Sequence, residues 1–335
     1  MFRSLAKRDG NENIYSMVAL NIRQQIPESE SPKVLILVGP TASGKTPLSL
    51  LIAERLNAEI VSADSRQIYK LMDIGTAKPS IEDRQKIKHY FVDELLPDQE
   101  FNAAEFGKQG RLIIDDILLR KKVPMVVGGS GLYVRSLIDG FFEGSPPDSE
   151  IRKHLYDRLN REGAEKLLEE LRVVDPEAAS KMLPTNTRRI VRALEVYSLT
   201  GVPISQLQKS KIEISFMPVF AGISWKRNIL YDRINRRVDM MIEYGLLEEV
   251  QRLKELGYPP ALNALQTVGY KEVFEYFDGK IDYKKMIESI KQNSRRYAKR
   301  QLTWFRHDKR IRWFDAHSEE DFVNVASEVT KYYVL

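Results

Sequence analysis

The chain has 335 residues, 43% of them hydrophobic, a formal net charge of +5 and no cysteine. That length can bury a full core and accommodate two domains; the missing thiols exclude disulfides and thiolate-held metals and fit a reducing, cytoplasmic compartment. Residues 1–33 contain no secretion-type apolar segment, and no stretch reaches the about 18 to 20 apolar residues of a membrane helix, so no membrane association is expected.

In chain order, residues 1–32 have mixed charge and weak periodicity and read as an N-terminal extension. Three short apolar runs follow, at 34–38, 59–63 and 124–127, each ending in glycine or a polar turn and each followed by a helical pattern. This punctuation predicts βαβ units and a parallel sheet covered on both faces, whose ligands gather at the carboxyl ends of the strands. Near residue 144 the pattern breaks, and charged amphipathic helical sequence runs from about Ile151 to about Leu199. A further strand is expected at 216–223, with long helical periodicity over 229–256 and 284–305. The fold class is therefore α/β: a P-loop parallel-sheet core over 33–144 and 211–335, interrupted by a mostly helical insertion at 145–210.

The first strand leads into Gly39-Pro40-Thr41-Ala42-Ser43-Gly44-Lys45-Thr46, a phosphate-binding P-loop in its required strand-to-helix context. The glycines let successive N–H groups turn toward phosphate oxygens, the helix dipole adds positive potential, Lys45 brings a mobile charge and Thr46 is placed to ligate Mg2+. Pro47, in the first helical turn, is compatible with the helix. The second strand delivers Asp64, Ser65, Arg66 and Gln67 to the same edge. Asp64 there reads as a phosphate-acceptor ligand, a helix cap or a general base. Glycine-bearing turns at 75–79 and 128–133 converge on that edge, and basic residues crowd at 188–192 and 295–300.

Together these segments resemble the bacterial-type tRNA dimethylallyltransferases, also called tRNA isopentenyltransferases. The match runs through the loop at 39–46, then 64–69, 73–79, 128–133, 189–196, 231–238, 268–270 and 298–305, and so covers about Val34 to His307. The resemblance implies transfer of a dimethylallyl group from dimethylallyl diphosphate to N6 of adenosine 37, beside the tRNA anticodon. On that reading the loop, with Lys45, Thr41, Ser43 and Mg2+ on Thr46, holds the departing diphosphate; Asp64 is the general base and Arg233 lies near the reacting phosphate. A base in a stacked loop must be extruded to react. The resemblance accordingly gives tRNA contacts to Asp64, Ser65, Arg66, Gln67, Ser130, Arg152, Arg188, Arg189, Arg192 and the segment holding Gln266, Gly269 and Lys271. A monomer that grips the anticodon stem-loop is expected.

Three departures accompany the resemblance. Ser130 stands where many members have threonine, Phe101 and Phe106 fall in a stretch that usually carries tyrosine, and the zinc module of eukaryotic cytosolic relatives is missing. A small-molecule P-loop kinase would explain the loop and Asp64 but not the insertion's arginines. An RNA-gripping ATP-binding module would leave Asp64 unexplained.

Overall fold

The computed structural model describes residues 31–140, 148–209 and 212–335. In chain order its elements are β1 (Lys33–Val38), α1 (Lys45–Leu56), β2 (Ala58–Ala63), α2 (Ile81–Lys86), β3 (His89–Tyr90), α3 (Ala103–Leu119), β4 (Val123–Gly128), α4 (Gly131–Ile138), α5 (Ser149–Glu162), α6 (Ala164–Val174), α7 (Pro176–Ser180), α8 (Thr187–Thr200) and α9 (Ile204–Leu207). They continue with β5 (Met217–Ser224), α10 (Arg227–Glu243), α11 (Leu246–Glu255), α12 (Tyr270–Phe277), α13 (Tyr283–Arg306), β6 (Arg312–Asp315) and α14 (Phe322–Val334). The chain divides into two compact units, one running to Val134 and resuming at Ile214–Leu335, the other spanning Arg135–Glu213. No helix among the described residues is long and apolar enough to cross a membrane.

The first unit is built on a six-stranded parallel sheet in the order β3-β2-β4-β1-β5-β6. Val34 through Val38 are all fully buried, which requires cover on both faces of β1. Side chains alternate along a strand; Leu35 and Leu37 pack in one cluster with Leu48 and Ile52 of α1 and with Val325 and Val329 of α14. The C-terminal helix is pinned to the first strand as well, where the Tyr333 hydroxyl donates to the Lys33 carbonyl at 2.9 Å.

Two differences from the sequence reading have local causes. Helical periodicity over 229–256 is divided into α10 and α11, because Gly245 takes φ +94 and turns the chain. β3 and β6 are edge strands of two and four residues, too short to show a period.

The second unit has its own core, in which Leu155, Leu167, Leu168, Leu171, Ile190 and Leu194 meet. Its helices are amphipathic around that cluster, and Asp148 and Asp175 cap α5 and α7 with their carboxylates.

At the amino end of β2, Glu59 is buried and receives a two-pronged ion pair from Arg120 (2.6 and 2.7 Å), the Tyr90 hydroxyl (2.8 Å) and the Lys122 ammonium (3.2 Å). Burial raises the pKa of this carboxyl, but the hydrogen bonds from Arg120, Tyr90 and Lys122 together hold it down at about 2. A depressed folded-state pKa stabilises the fold above the ordinary value of 4.5, and that contribution is lost as pH falls toward about 2. Glu59→Gln should destabilise the protein by about 3 kcal/mol at neutral pH, because Arg120 is left without its partner. Denaturant unfolding should show the gap to wild type closing through that acidic window; a gap that stays constant would contradict the network.

Candidate active site

The register levels three strand ends. Gly128 of β4 lies opposite both Val38 of β1 and Ala63 of β2. The P-loop therefore leaves β1, and Asp64 leaves β2, at one edge with only β4 between them. Two interstrand steps correspond to about 10 Å. Gly128 itself admits no side chain, since a Cβ there would sit 2.1 Å from the Ala63 carbonyl oxygen.

The P-loop is held by its carbonyls and by the amides of Thr41 and Ser43, which leaves the amides at the start of α1 for a ligand. The Lys45 ammonium donates to the Pro40 carbonyl at 2.8 Å, the Arg233 Nε to that of Ala42 at 2.9 Å, and the Trp225 indole N–H to that of Ser43 at 2.9 Å. Arg233 also lies 4.4 Å over the Trp225 ring and pairs with Glu319 at 2.5 Å. Gly44, at φ +82, opens α1 with no side-chain cap and no acid in the first turn. The buried Ser43 hydroxyl has no hydrogen-bond partner among the described residues. Uncapped helix amides, an orphaned buried hydroxyl and a lysine make a fitting site for phosphate oxygens. Thr46 is half-buried in the same first turn.

Asp64 is half-buried, and its Oδ1 accepts the Arg66 N–H at 2.9 Å, which folds the turn after β2. Its charge reaches several neighbours. Burial pushes the Lys45 ammonium down to about 8, with Asp64 opposing the shift and Arg237 adding to it. Burial also lowers the Arg237 guanidinium, again against Asp64. Burial and then the Asp64 carboxylate push the Tyr297 hydroxyl up to about 12. Acid, lysine, arginine and phenol thus share one field at the strand ends. Ser65 and Arg66 are half-buried beside Asp64, and Ser130 donates its N–H to the Ala63 carbonyl at 3.1 Å just before α4 opens.

Several residues expected to contact RNA are engaged within the chain. The Gln67 amide nitrogen donates to the carbonyls of Thr76 (3.4 Å) and Ala77 (3.2 Å), and its oxygen accepts from the Ser62 hydroxyl (3.1 Å), so this side chain braces its own turn. Gly269 is buried at φ +99; its N–H donates to Glu272 and its carbonyl accepts from Val273, which leaves the main chain no group to offer. Gln266 and Lys271, on either side, are exposed, with Gln266 donating to the Pro260 carbonyl at 2.7 Å.

In the second unit, Arg152 (3.0 Å) and Arg192 (2.8 Å) both pair with the fully buried Glu195. A buried carboxylate demands such countercharge, so these two guanidinium groups are partly committed, whereas Arg188 and Arg189 are exposed. The apolar face of α8 is formed by Ile190, Val191, Ala193, Leu194 and Val196, and Tyr197 is only half-buried.

Sequence reasoning missed Gln301 and Arg237. Gln301 is buried on α13; its Oε1 accepts the Thr41 N–H at 2.8 Å and its Nε2 donates to the Gly129 carbonyl at 2.9 Å, joining the P-loop to the end of β4. The signal was a polar residue in phase with the buried Ala298 and Phe305. Arg237 follows Arg233 by one helical turn, the spacing that puts both on one face of α10. Arg296, Lys299, Arg300, Thr303 and Trp304 of α13, with His307 just beyond it, line an open groove.

A parallel sheet with a P-loop at the end of a central strand and an acid two strands away defines a P-loop α/β protein. The family model described as IPP transferase matches residues 67–308. A tRNA dimethylallyltransferase of Thermoanaerobacter sp. (strain X514) is 46% identical over 308 residues, covering 90% of this chain and 97% of that protein. The namesake protein of Thermotoga maritima is 46% identical over 291 residues, with 86% and 94% covered. Among solved structures, the tRNA isopentenylpyrophosphate transferase of Bacillus halodurans matches with TM-score 0.66 and 38% identity over 91% of this chain and 97% of that one. A eukaryotic dimethylallyltransferase, solved in a study of its action on tRNA, matches with TM-score 0.76 and 30% identity over 89% and 77%. The chain belongs to the IPP transferase family.

Lys45 gives the site a measurable signature. With burial holding its pKa down at about 8, the Lys45 ammonium of the ligand-free protein loses its proton progressively as pH rises past about 8. Affinity for inorganic pyrophosphate, followed by calorimetry, should therefore weaken as pH rises past about 8, approaching tenfold per pH unit from this group. Lys45→Arg should remove that component; an unchanged profile would contradict the role of Lys45.

Proposed function

We propose that the chain transfers the dimethylallyl group of dimethylallyl diphosphate to N6 of adenosine 37 in tRNA, releasing diphosphate. The observation that carries this reading is the placement of Asp64 on the strand-end edge that also bears the uncapped P-loop, in a chain of the IPP transferase family. The loop amides, Lys45, Thr41 and the Ser43 hydroxyl hold the diphosphate, and Arg233 and Arg237 add charge on its α10 side. As the allylic C1–O bond breaks, its electron pair goes to the diphosphate oxygen, where these donors stabilise it. Mg2+, when bound with the diphosphate through the Thr46 hydroxyl, would neutralise further charge there.

Adenine N6 is a poor nucleophile because its lone pair is conjugated with the ring. Attack therefore follows the departure of diphosphate closely, and the new C–N bond makes the N6 proton strongly acidic. Asp64 takes that proton, for which a carboxylate is basic enough. Its hydrogen bond from the Arg66 N–H orients the carboxylate and leaves Oδ2 for the transfer.

For the RNA, we propose that Arg188 and Arg189 contact phosphates of the anticodon stem-loop. Ser65, Arg66 and Ser130 line the pocket for the extruded adenosine, and Gln266 and Lys271 contribute a further contact. Arg152 and Arg192 support the helical unit through Glu195, and their remaining N–H donors serve the same RNA.

Purified protein given labelled dimethylallyl diphosphate and tRNA without ATP should label adenosine 37 and leave unlabelled a transcript that carries guanosine in its place. ATP consumption without label transfer would overturn the reading in favour of a kinase. Asp64→Asn should reduce kcat by about 10²-fold or more while tRNA affinity changes little. An equal loss of affinity would assign Asp64 to binding instead. Arg188→Ala and Arg189→Ala should each lower the slope of log affinity against log salt by about 0.7 to 0.9; an unchanged slope would remove them from the interface.

A further inference from the structure

On α11, Glu249 does something unusual for a helix-borne carboxylate: it accepts four hydrogen bonds from elsewhere in the chain. Its Oε2 takes the N–H groups of Asp73 and Ile74, each at 2.8 Å, and its Oε1 takes the Gly75 N–H at 3.1 Å and the Tyr270 hydroxyl at 2.6 Å. Three consecutive main-chain amides closing on one carboxylate form an anion nest with the anion supplied by the protein. Tyr270 is fully buried at the start of α12 and seats against Gly75, where a Cβ would fall 2.4 Å from its ring. Burial and the Glu249 carboxylate keep its hydroxyl protonated, hence a permanent donor.

The clamped segment is not free to adopt another shape. Leu71 and Ala77 hold left-handed backbone at φ +66 and +45, which L residues keep only when their surroundings enforce it. The Thr76 hydroxyl caps the Met72 carbonyl at 2.6 Å, and the buried Lys78 ammonium reaches Asp73, Asp93 and the Tyr69 carbonyl. What the loop then offers is a pair of carbonyls, those of Thr76 and Ala77, and both accept the Gln67 amide. Gln67 in turn is anchored to Ser62 of β2, the strand that ends at Ala63 just before Asp64. Hydrogen bonds joined by short stretches of main chain thus connect Glu249, through loop 73–77 and Gln67, to the end of β2 that precedes Asp64.

We infer that Glu249 is a positioning residue for the reaction, acting with Tyr270 through loop 73–77 and Gln67 to fix the turn that carries Asp64 and the adenosine pocket. The inference rests on the proposed prenyl transfer. Glu249 touches neither the P-loop nor the diphosphate groups, so its influence falls on the acceptor side of the reaction. Tyr270 also adjoins the exposed Lys271.

The test is a double-mutant cycle read in the prenylation assay, with wild-type transfer as its control: failure of the wild type sinks the proposed function, not the clamp. Glu249→Gln puts an amide NH2 where a carboxylate oxygen accepted main-chain N–H groups. It should lower kcat with tRNA about tenfold and leave KM for dimethylallyl diphosphate within about twofold. Tyr270→Phe, which removes a single donor, should shift kcat in the same direction by about threefold. If Glu249 acts through Gln67, the Gln67→Ala/Glu249→Gln pair should be little worse than Gln67→Ala alone. Additive losses, wild-type kcat in Glu249→Gln, or a parallel loss of diphosphate affinity would each overturn the inference. Should Glu249→Gln fail to fold, the same cycle run with Tyr270→Phe decides it.

Discussion

Everything at this site depends on a helix that begins without a cap. α1 starts at Gly44 with no side chain to accept its first amides, and it starts at the end of a fully buried central strand, where the sheet register sets the turns after β2 and β4 beside it. An anion is the natural partner of those amides. The protein supplies none of its own in the first turn, and it turns the loop carbonyls away by engaging them with Lys45, Arg233 and Trp225. The opposite solution appears at loop 73–75, where the three amides are closed by Glu249. One set of amides is left for a ligand and the other is used to make a rigid wall.

That contrast explains how a phosphate loop serves a group transfer whose leaving group is a diphosphate. The loop has no need to place a γ-phosphate for attack. On the proposed reading it has to hold charge that grows on an oxygen while a carbon leaves, a demand that the loop amides, Lys45 and the α10 arginines would meet. The proposed reading gives the other reactant to the acid at the end of β2. Asp64 acts on the ionisation of both Lys45 and Arg237, so on the proposed reading the cations for the diphosphate and the carboxylate that would take the proton belong to one electrostatic unit.

Much of this is legible in the sequence because it is local. Continuous apolar runs announce β1, β2, β4 and β5, and the spacing of Gly39, Gly44, Lys45 and Thr46 announces the loop. What stays hidden is long-range. Gln301 lies 260 residues from the Thr41 amide it accepts, and Glu249 lies 174 to 176 residues from the amides it clamps; no periodicity encodes such pairings. Gln67 and Gly269 lie inside the motifs at 64–69 and 268–270 and read as tRNA contacts; that their polar groups also complete turns is not visible in the sequence. Arg152 and Arg192 read as tRNA contacts, and a sequence does not reveal that both pair with a buried Glu195. The edge strands β3 and β6 carry too few residues for a pattern.

On the proposed reading the P-loop holds the diphosphate of an allylic substrate. Calorimetric titration of dimethylallyl diphosphate into the tRNA-free protein tests it most directly. The account predicts saturable binding that inorganic pyrophosphate displaces and Lys45→Ala abolishes, with ATP a poor competitor. Binding untouched by Lys45→Ala, or ATP displacing the prenyl diphosphate and being hydrolysed, would contradict it.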